Sequence, residues 1–240
     1  MAENLLTITE TSQLTGINPE TLKKRCQSGS IPGAIKKGKT WLIPESSSLG
    51  FNRPKVGVYI DGPNLLHGGL ETGWLIDYKK LNKFIKKDYN PVVLSYYDSV
   101  GHERDKKGSF IKNSDGKFIP RKGQLKFLNL LKGLGYRIVS PSLKYICGDM
   151  QRPKNTTDNH INWDVAKEKE LWEQLFLFSG DSDFERLVDE VVALNKTVKI
   201  FSFSNRLSYE LKIKAFNSPL VAFTELEKLK DILALPQKKK

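Results

Sequence analysis

From Lys55 onward the chain repeats one rhythm, a short apolar run followed by a longer stretch with helical spacing. Strands that are apolar throughout and separated by helices bury both faces. That pattern predicts a mostly parallel sheet with helices on either side. Strands are expected over residues 56–60, 91–97, 136–140, 175–178, 198–201 and, shortest, 220–223. Helices are expected over 77–87, 121–134, 162–173, 182–195, 205–216 and 224–233. The second strand and the next helix are separated by HERDKKGSFIKNSDGKFIPRKG, a basic loop long enough to read as functional.

The first 48 residues form a separate unit of another kind. A short helix over 9–15, a turn at 16–18 and a second helix opened by Pro19 are predicted, with Pro at a first-turn position where its missing N–H costs nothing. Gly29 stops the second helix. Residues 31–35 and 40–43 flank Lys36, Lys37, Gly38 and Lys39 with the composition of a hairpin. A serine run at 46–48 and a link through Gly50 and Pro54 lead into the larger domain, expected over 55–234, with a short basic tail at 235–240.

The net charge of +12 is concentrated: residues 102–154 hold 13 basic against 4 acidic side chains, or +9 of the total. Such a segment suits a polyanion. Cys26 and Cys147 match neither a disulfide framework nor a zinc spacing, and the N-terminal stretch lacks the features of a signal peptide. With no run approaching a membrane span, a cytoplasmic protein with no membrane partner is expected.

Functional residues in parallel sheets gather at the carboxyl ends of strands. Asp61 follows the first strand, and LFLFSGDSDFERL places Asp181 and Asp183 just past the fourth. Asp164 is expected near the start of the helix that leads into that fourth strand. Carboxylates brought together destabilise one another unless a cation compensates, and oxygen ligands without histidine or thiolate suit Mg²⁺ or Mn²⁺. Structural readings stand beside these. Asp61-Gly62-Pro63-Asn64 has turn composition, Asp181 and Asp183 suit a helix N-terminus, and Ser182 with Glu185 has the spacing of a capping box.

VGVYIDGPNLL, NWDVAKEKE, and LFLFSGDSDFERLV followed by KTVKIFSF together resemble the NYN branch of the PIN-like nucleases across roughly residues 55–225. The resemblance implies a Rossmann-like α/β/α sandwich of strand order 3-2-1-4-5 and a metal-dependent ribonuclease site. It maps the metal-binding carboxylates onto Asp61, Asp164, Asp181 and Asp183, with Asn64 as a polar partner. Relatives carry Lys-Gly-x-Asp-Val with a second Asp six residues later. Read at Asp164, that motif lacks its lysine and has Glu170 in the second place. The first 48 residues resemble MerR-like and excisionase-like helix-turn-helix domains.

The function expected is a Mg²⁺- or Mn²⁺-dependent endoribonuclease, a hydrolase of phosphodiester bonds. Lys106, Lys107, Lys112, Lys117, Arg121 and Lys122 would meet phosphates of single-stranded or structured RNA, with Phe110 and Phe118 as stacking partners. On the small domain, Lys23, Lys24 and Arg25 of the second helix and Lys37 and Lys39 of the wing would meet DNA, and specific binding there calls for a homodimer. The alternative is a catalytically weak or inactive nucleic-acid-binding regulator built on a nuclease scaffold, supported by the altered middle motif.

Overall fold

The computed structural model describes residues 4–15, 17–49, 53–107, 109–141 and 157–236. Gly16 of the expected turn, residues 50–52 of the link, Cys147 and the tail residues 237–240 lie outside these. The chain divides into two compact units, Met1–Pro54 with Asp88–Asn90, and Lys55–Lys87 with Pro91–Lys240.

In the small unit, β1 (Leu5–Thr7), α1 (Ile8–Thr15), α2 (Pro19–Gln27), β2 (Ile35–Lys37), β3 (Thr40–Pro44) and α3 (Glu45–Leu49) follow one another, with sheet order β1-β3-β2. Thr7 and Glu10 cap α1 reciprocally, the Thr7 N–H donating to Glu10 Oε2 at 2.8 Å and the Glu10 N–H to Thr7 Oγ1 at 3.2 Å. Asn18 caps α2 by accepting from the Glu20 N–H at 2.9 Å. Leu22, Cys26, Ile31 and Ile43 form the core, with Ile8, Ile17 and Trp41 packed against it. The serine run at 46–48 falls within α3.

The large unit runs β4 (Lys55–Asp61), α4 (Gly62–Thr72), α5 (Tyr78–Asp88), β5 (Asn90–Tyr97), α6 (Lys122–Gly133), β6 (Arg137–Val139), α7 (Thr157–Glu168) and β7 (Gln174–Phe178). A 3-10 turn (Ser182–Phe184), α8 (Glu185–Ala193), β8 (Thr197–Ser202), α9 (Tyr209–Asn217), β9 (Val221–Glu225), a second 3-10 turn (Leu226–Leu229) and α10 (Lys230–Leu233) complete it. The six strands lie in the order β6-β5-β4-β7-β8-β9. The pairs β5–β6, β4–β7, β7–β8 and β8–β9 are parallel. Counted from β4 this is 3-2-1-4-5-6, so the strand order reverses between β4 and β7. On one face, Tyr59, Leu175, Leu177, Val198 and Ile200 pack with Ile161 and Val165 of α7, Leu187 and Val188 of α8, and Leu211 of α9.

Two elements differ from expectation in ways that matter for function. Helix α4 lies where no helix is expected, since Gly62, Pro63, Gly68 and Gly69 all depress helix propensity. Pro63 nonetheless sits in the first turn, and a Cβ at Gly68 would come within 2.5 Å of the Phe203 ring. The glycine is what lets the helix lie this close to the residues following β8. Helix α7 begins at Thr157 and ends at Glu168, five residues ahead of the expected 162–173.

Candidate active site

Side chains alternate along a strand, so Asp61 shares a face with Tyr59, and Ser179 with Leu177. Tyr59 and Leu177 are register partners in β4 and β7. The alternation therefore delivers Asp61 and Ser179 to the same side, just past the carboxyl ends of adjacent strands. Ser179 Oγ donates to Asp61 Oδ2 at 2.9 Å, and both residues are buried. The Asn64 N–H donates to Asp61 Oδ1 at 3.2 Å, and the Asn64 side-chain carbonyl accepts from the Gly180 N–H at 3.2 Å. Asn64 thus ties the start of α4 to the loop after β7.

The Asp181 N–H donates to Ser179 Oγ at 3.3 Å, and Asp181 Oδ1 accepts from the Asp183 N–H at 3.1 Å. Asp61 and Asp181 are both N-caps, one of α4 and one of the 3-10 turn. The turn and helix-cap readings of these acids therefore hold together with a role in a site, since a capping carboxylate keeps lone pairs unused. The cap of the turn is Asp181 and not Ser182. Glu185 instead pairs with Lys214, its carboxylate 3.1 Å from Lys214 Nζ.

A further aspartate joins these three. Helix α7 precedes β7 in a parallel sheet and so runs against the strand direction, which puts its first turn at the carboxyl edge of the sheet. Asp158 lies in that turn. Burial pushes the Asp61 carboxyl up to about 7, with hydrogen bonds from Ser179 and Asn64 opposing and the charges of Asp158 and Asp181 adding to the rise. Burial also raises Asp158, reinforced by Asp181 and Asp183. The charged neighbours that perturb both acids are other aspartates, an arrangement that calls for a cation.

All donors of the cluster are hard carboxylate oxygens. Among the described residues no group of three or more His, Cys, Asp or Glu side chains is placed to hold a metal ion together. Such a set fits an ion that takes one or two carboxylates directly and keeps several of its own waters, as Mg²⁺ does.

Asp164, expected among these ligands, is engaged elsewhere. Six residues beyond Asp158, it lies about 9 Å further along the helix and on another side of it. Its Oδ2 accepts from Tyr97 Oη at 2.7 Å and from Arg137 Nη2 at 3.1 Å. Arg137 also pairs with Glu168, whose Oε2 accepts from Tyr59 Oη at 2.9 Å. This network clamps α7 to the sheet. The expected helix began five residues late and so placed Asp164 in the first turn where Asp158 stands. The six-residue interval between two aspartates was present all along, as Asp158 and Asp164.

The basic loop after β5 is a compact meander with paired backbones at His102 and Pro120, Arg104 and Phe110, and Lys112 and Phe118. Asp105 Oδ1 accepts from the N–H groups of Lys107 and Ser109, and Asn113 Oδ1 from those of Asp115 and Lys117, which shapes the two tips. Lys106, Lys107, Lys112, Lys117, Arg121 and Lys122 are exposed. Arg104 lies 4.1 Å over the Phe110 ring and Lys112 Nζ 5.1 Å over Phe118, so these rings hold cations of the loop itself. In the small unit, Lys23, Lys24 and Arg25 on α2, and Lys37 and Lys39 around the wing turn, are likewise exposed.

A parallel sheet with helices on both sides and aspartates at its switch point is an α/β architecture, and the nuclease-like form of it is the one the NYN domain has. Residues 55–218 match the NYN domain model, and the chain belongs to the NYN domain family. Residues 5–47 match a helix-turn-helix domain. The chain is 24% identical over 170 residues to the low amplitude and bright protein LabA of Synechococcus elongatus, covering 68% of this chain and 82% of that one. The crystal structure of a protein of unknown function from Vibrio parahaemolyticus has the same fold, with a TM-score of 0.55 and 18% identity over 76% of this chain and 97% of that one. Among the described residues no helix is long and apolar enough to cross a membrane.

Proposed function

We propose that this protein is a Mg²⁺- or Mn²⁺-dependent endoribonuclease whose cluster is Asp61, Asp158, Asp181 and Asp183, recruited to DNA by its helix-turn-helix unit. The observation that carries this reading is geometric: Asp61, bonded to Ser179 and Asn64, and Asp181, bonded to Ser179 through its N–H, stand past the ends of the adjacent strands β4 and β7, and the first turn of α7 brings Asp158 to the same edge. An ion held there would supply positive charge to the scissile phosphodiester and make an attacking water more acidic. Ser179 and Asn64 orient Asp61, and Asp183 is fixed through its backbone N–H by Asp181. The meander lysines would hold the phosphate backbone beside the acids, with binding that falls steeply as salt rises.

The absence of a ready three-carboxylate cage among the described residues favours a second reading, a nucleic-acid-binding protein without turnover. Incubating the protein with single-stranded RNA, duplex RNA and DNA, with Mg²⁺, Mn²⁺ or EDTA, separates the two. RNA fragments that EDTA abolishes are expected; intact RNA under every condition would sink the nuclease reading. Asp158→Asn is expected to lower cleavage by ~10- to 100-fold, the range for losing one supporting oxygen of a metal site. Asp164→Asn is expected to alter it by less than about 3-fold while lowering Tm, because its bonds serve packing. Equal losses in the two variants would return Asp164 to the site.

A further inference from the structure

A groove of about 720 Å³ opens on the other side of the first turn of α4, between α4, the end of β5 and the start of α6. We propose that it is a nucleobase subsite, holding a base next to the phosphodiester at the aspartates; this rests on the nuclease reading above.

The groove and the acids are separated by a single turn of backbone. Gly62 follows Asp61 directly, and a Cβ at Gly62 would lie 2.4 Å from Tyr96 Oη, which lines the groove. A base in the groove and a phosphate at the acids are thus placed as neighbours on one strand of nucleic acid.

The lining has the chemistry of a base. Tyr78, Tyr96 and Phe127 pack edge to face, with centroids 5.4 to 5.7 Å apart, and form an aromatic wall. Leu66 and Leu70 of α4 line the groove and remain 46% and 61% exposed, apolar area that a stacked ring would cover. Asp98 stands among these apolar groups, its Oδ2 accepting from Gln124 Nε2 at 2.7 Å. A carboxylate only accepts, so the groove disfavours anionic or purely apolar occupants and selects ring systems that carry N–H donors. Arg121, at the rim, is exposed and offers charge to a flanking phosphate. The volume lies within the range of small-molecule sites and exceeds that of one base.

The test uses the full chain in EDTA, with AMP, GMP, CMP and UMP titrated by isothermal calorimetry or ligand-observed NMR. Leu66→Trp fills the groove from a partly exposed position. Leu70→Trp does so from a second one, in case the first variant unfolds. Leu171→Trp, at an exposed leucine away from the groove, is the control. At least one nucleotide is expected to bind the wild type, each groove variant that folds to weaken it by about 10-fold or more, and the control to leave it unchanged. No binding at millimolar nucleotide, or binding that the groove variants leave intact, overturns the subsite. The outcomes separate from those above: nucleotide binding lost in Leu66→Trp with no RNA cleavage by the wild type keeps the subsite and removes the nuclease. Cleavage with no groove-dependent binding does the reverse.

Discussion

Replacing Asp61 by Asn is expected to lower RNA cleavage by about three orders of magnitude, or ~4 kcal/mol of transition-state stabilisation. Asp61 is the most enclosed acid of the cluster, 4% exposed, and Ser179, Asn64 and the end of β4 fix its orientation. The amide keeps the shape and one carbonyl acceptor but loses the charge that would hold a divalent ion. The variant is expected to fold, and without metal its stability should depend on pH differently from that of the wild type. A carboxyl whose folded-state value is raised binds more protons in the native state than in the unfolded chain. Its contribution is therefore fully present below its ordinary value of 3.8 and lost as pH rises to about 7. In EDTA, wild-type Tm should thus fall relative to Asp61→Asn across that window, and Mg²⁺ should restore part of the difference at pH 7. Thermal melts of the two proteins between pH 4 and 8 check this. Parallel Tm curves would show that Asp61 is not held up by its surroundings, and cleavage at the wild-type rate would remove it from the site.

Gly180→Ala is expected to destabilise the protein by about 3 kcal/mol, near the upper end of ordinary overpacking, and to lower Tm by roughly 6 to 12 °C in a chain of this size. A Cβ at Gly180 would lie 2.2 Å from the Arg206 carbonyl oxygen and 2.3 Å from Ser202 Oγ. The backbone around it cannot give easily. The Ser208 N–H donates to the Gly180 carbonyl at 2.9 Å, and the Gly180 N–H is held by Asn64. Moving the loop to relieve the clash would shift Asp181 and loosen the tie to α4, so cleavage should fall together with stability. A melt within 2 °C of the wild type would show that the loop after β7 has slack. Unchanged cleavage with a lowered Tm would show that Asp181 keeps its place independently.

Much of this could be read from the residues. Continuous apolar runs separated by helical spacing admit few arrangements other than a covered parallel sheet. Turn and cap chemistry marked the helix-turn-helix unit, because Pro19, Gly29 and the Lys36–Lys39 wing act within a few residues of themselves. Asp61 and Asp181 were visible for the same reason, since Asp61 ends β4, Asp181 lies three residues past β7, and each caps the next turn.

Helix boundaries were less visible, and the choice between Asp158 and Asp164 depended on one. Both acids lie on α7 at a spacing the family motif permits, and nothing local distinguishes them. The choice was made by Tyr97, Arg137 and Glu168, which take Asp164 into an ion-pair network anchored in the sheet and leave Asp158 at the edge where the strands end. Likewise α4 was hidden by its glycines, of which Gly62 makes room for Tyr96 and Gly68 for Phe203, both remote in the chain. Local residue chemistry was enough for the class of fold and for the sheet edge at which Asp61 and Asp181 stand. Which helix-borne acid joins them, and that an aromatic groove adjoins them, only tertiary packing decided, because both follow from contacts between segments remote in the chain.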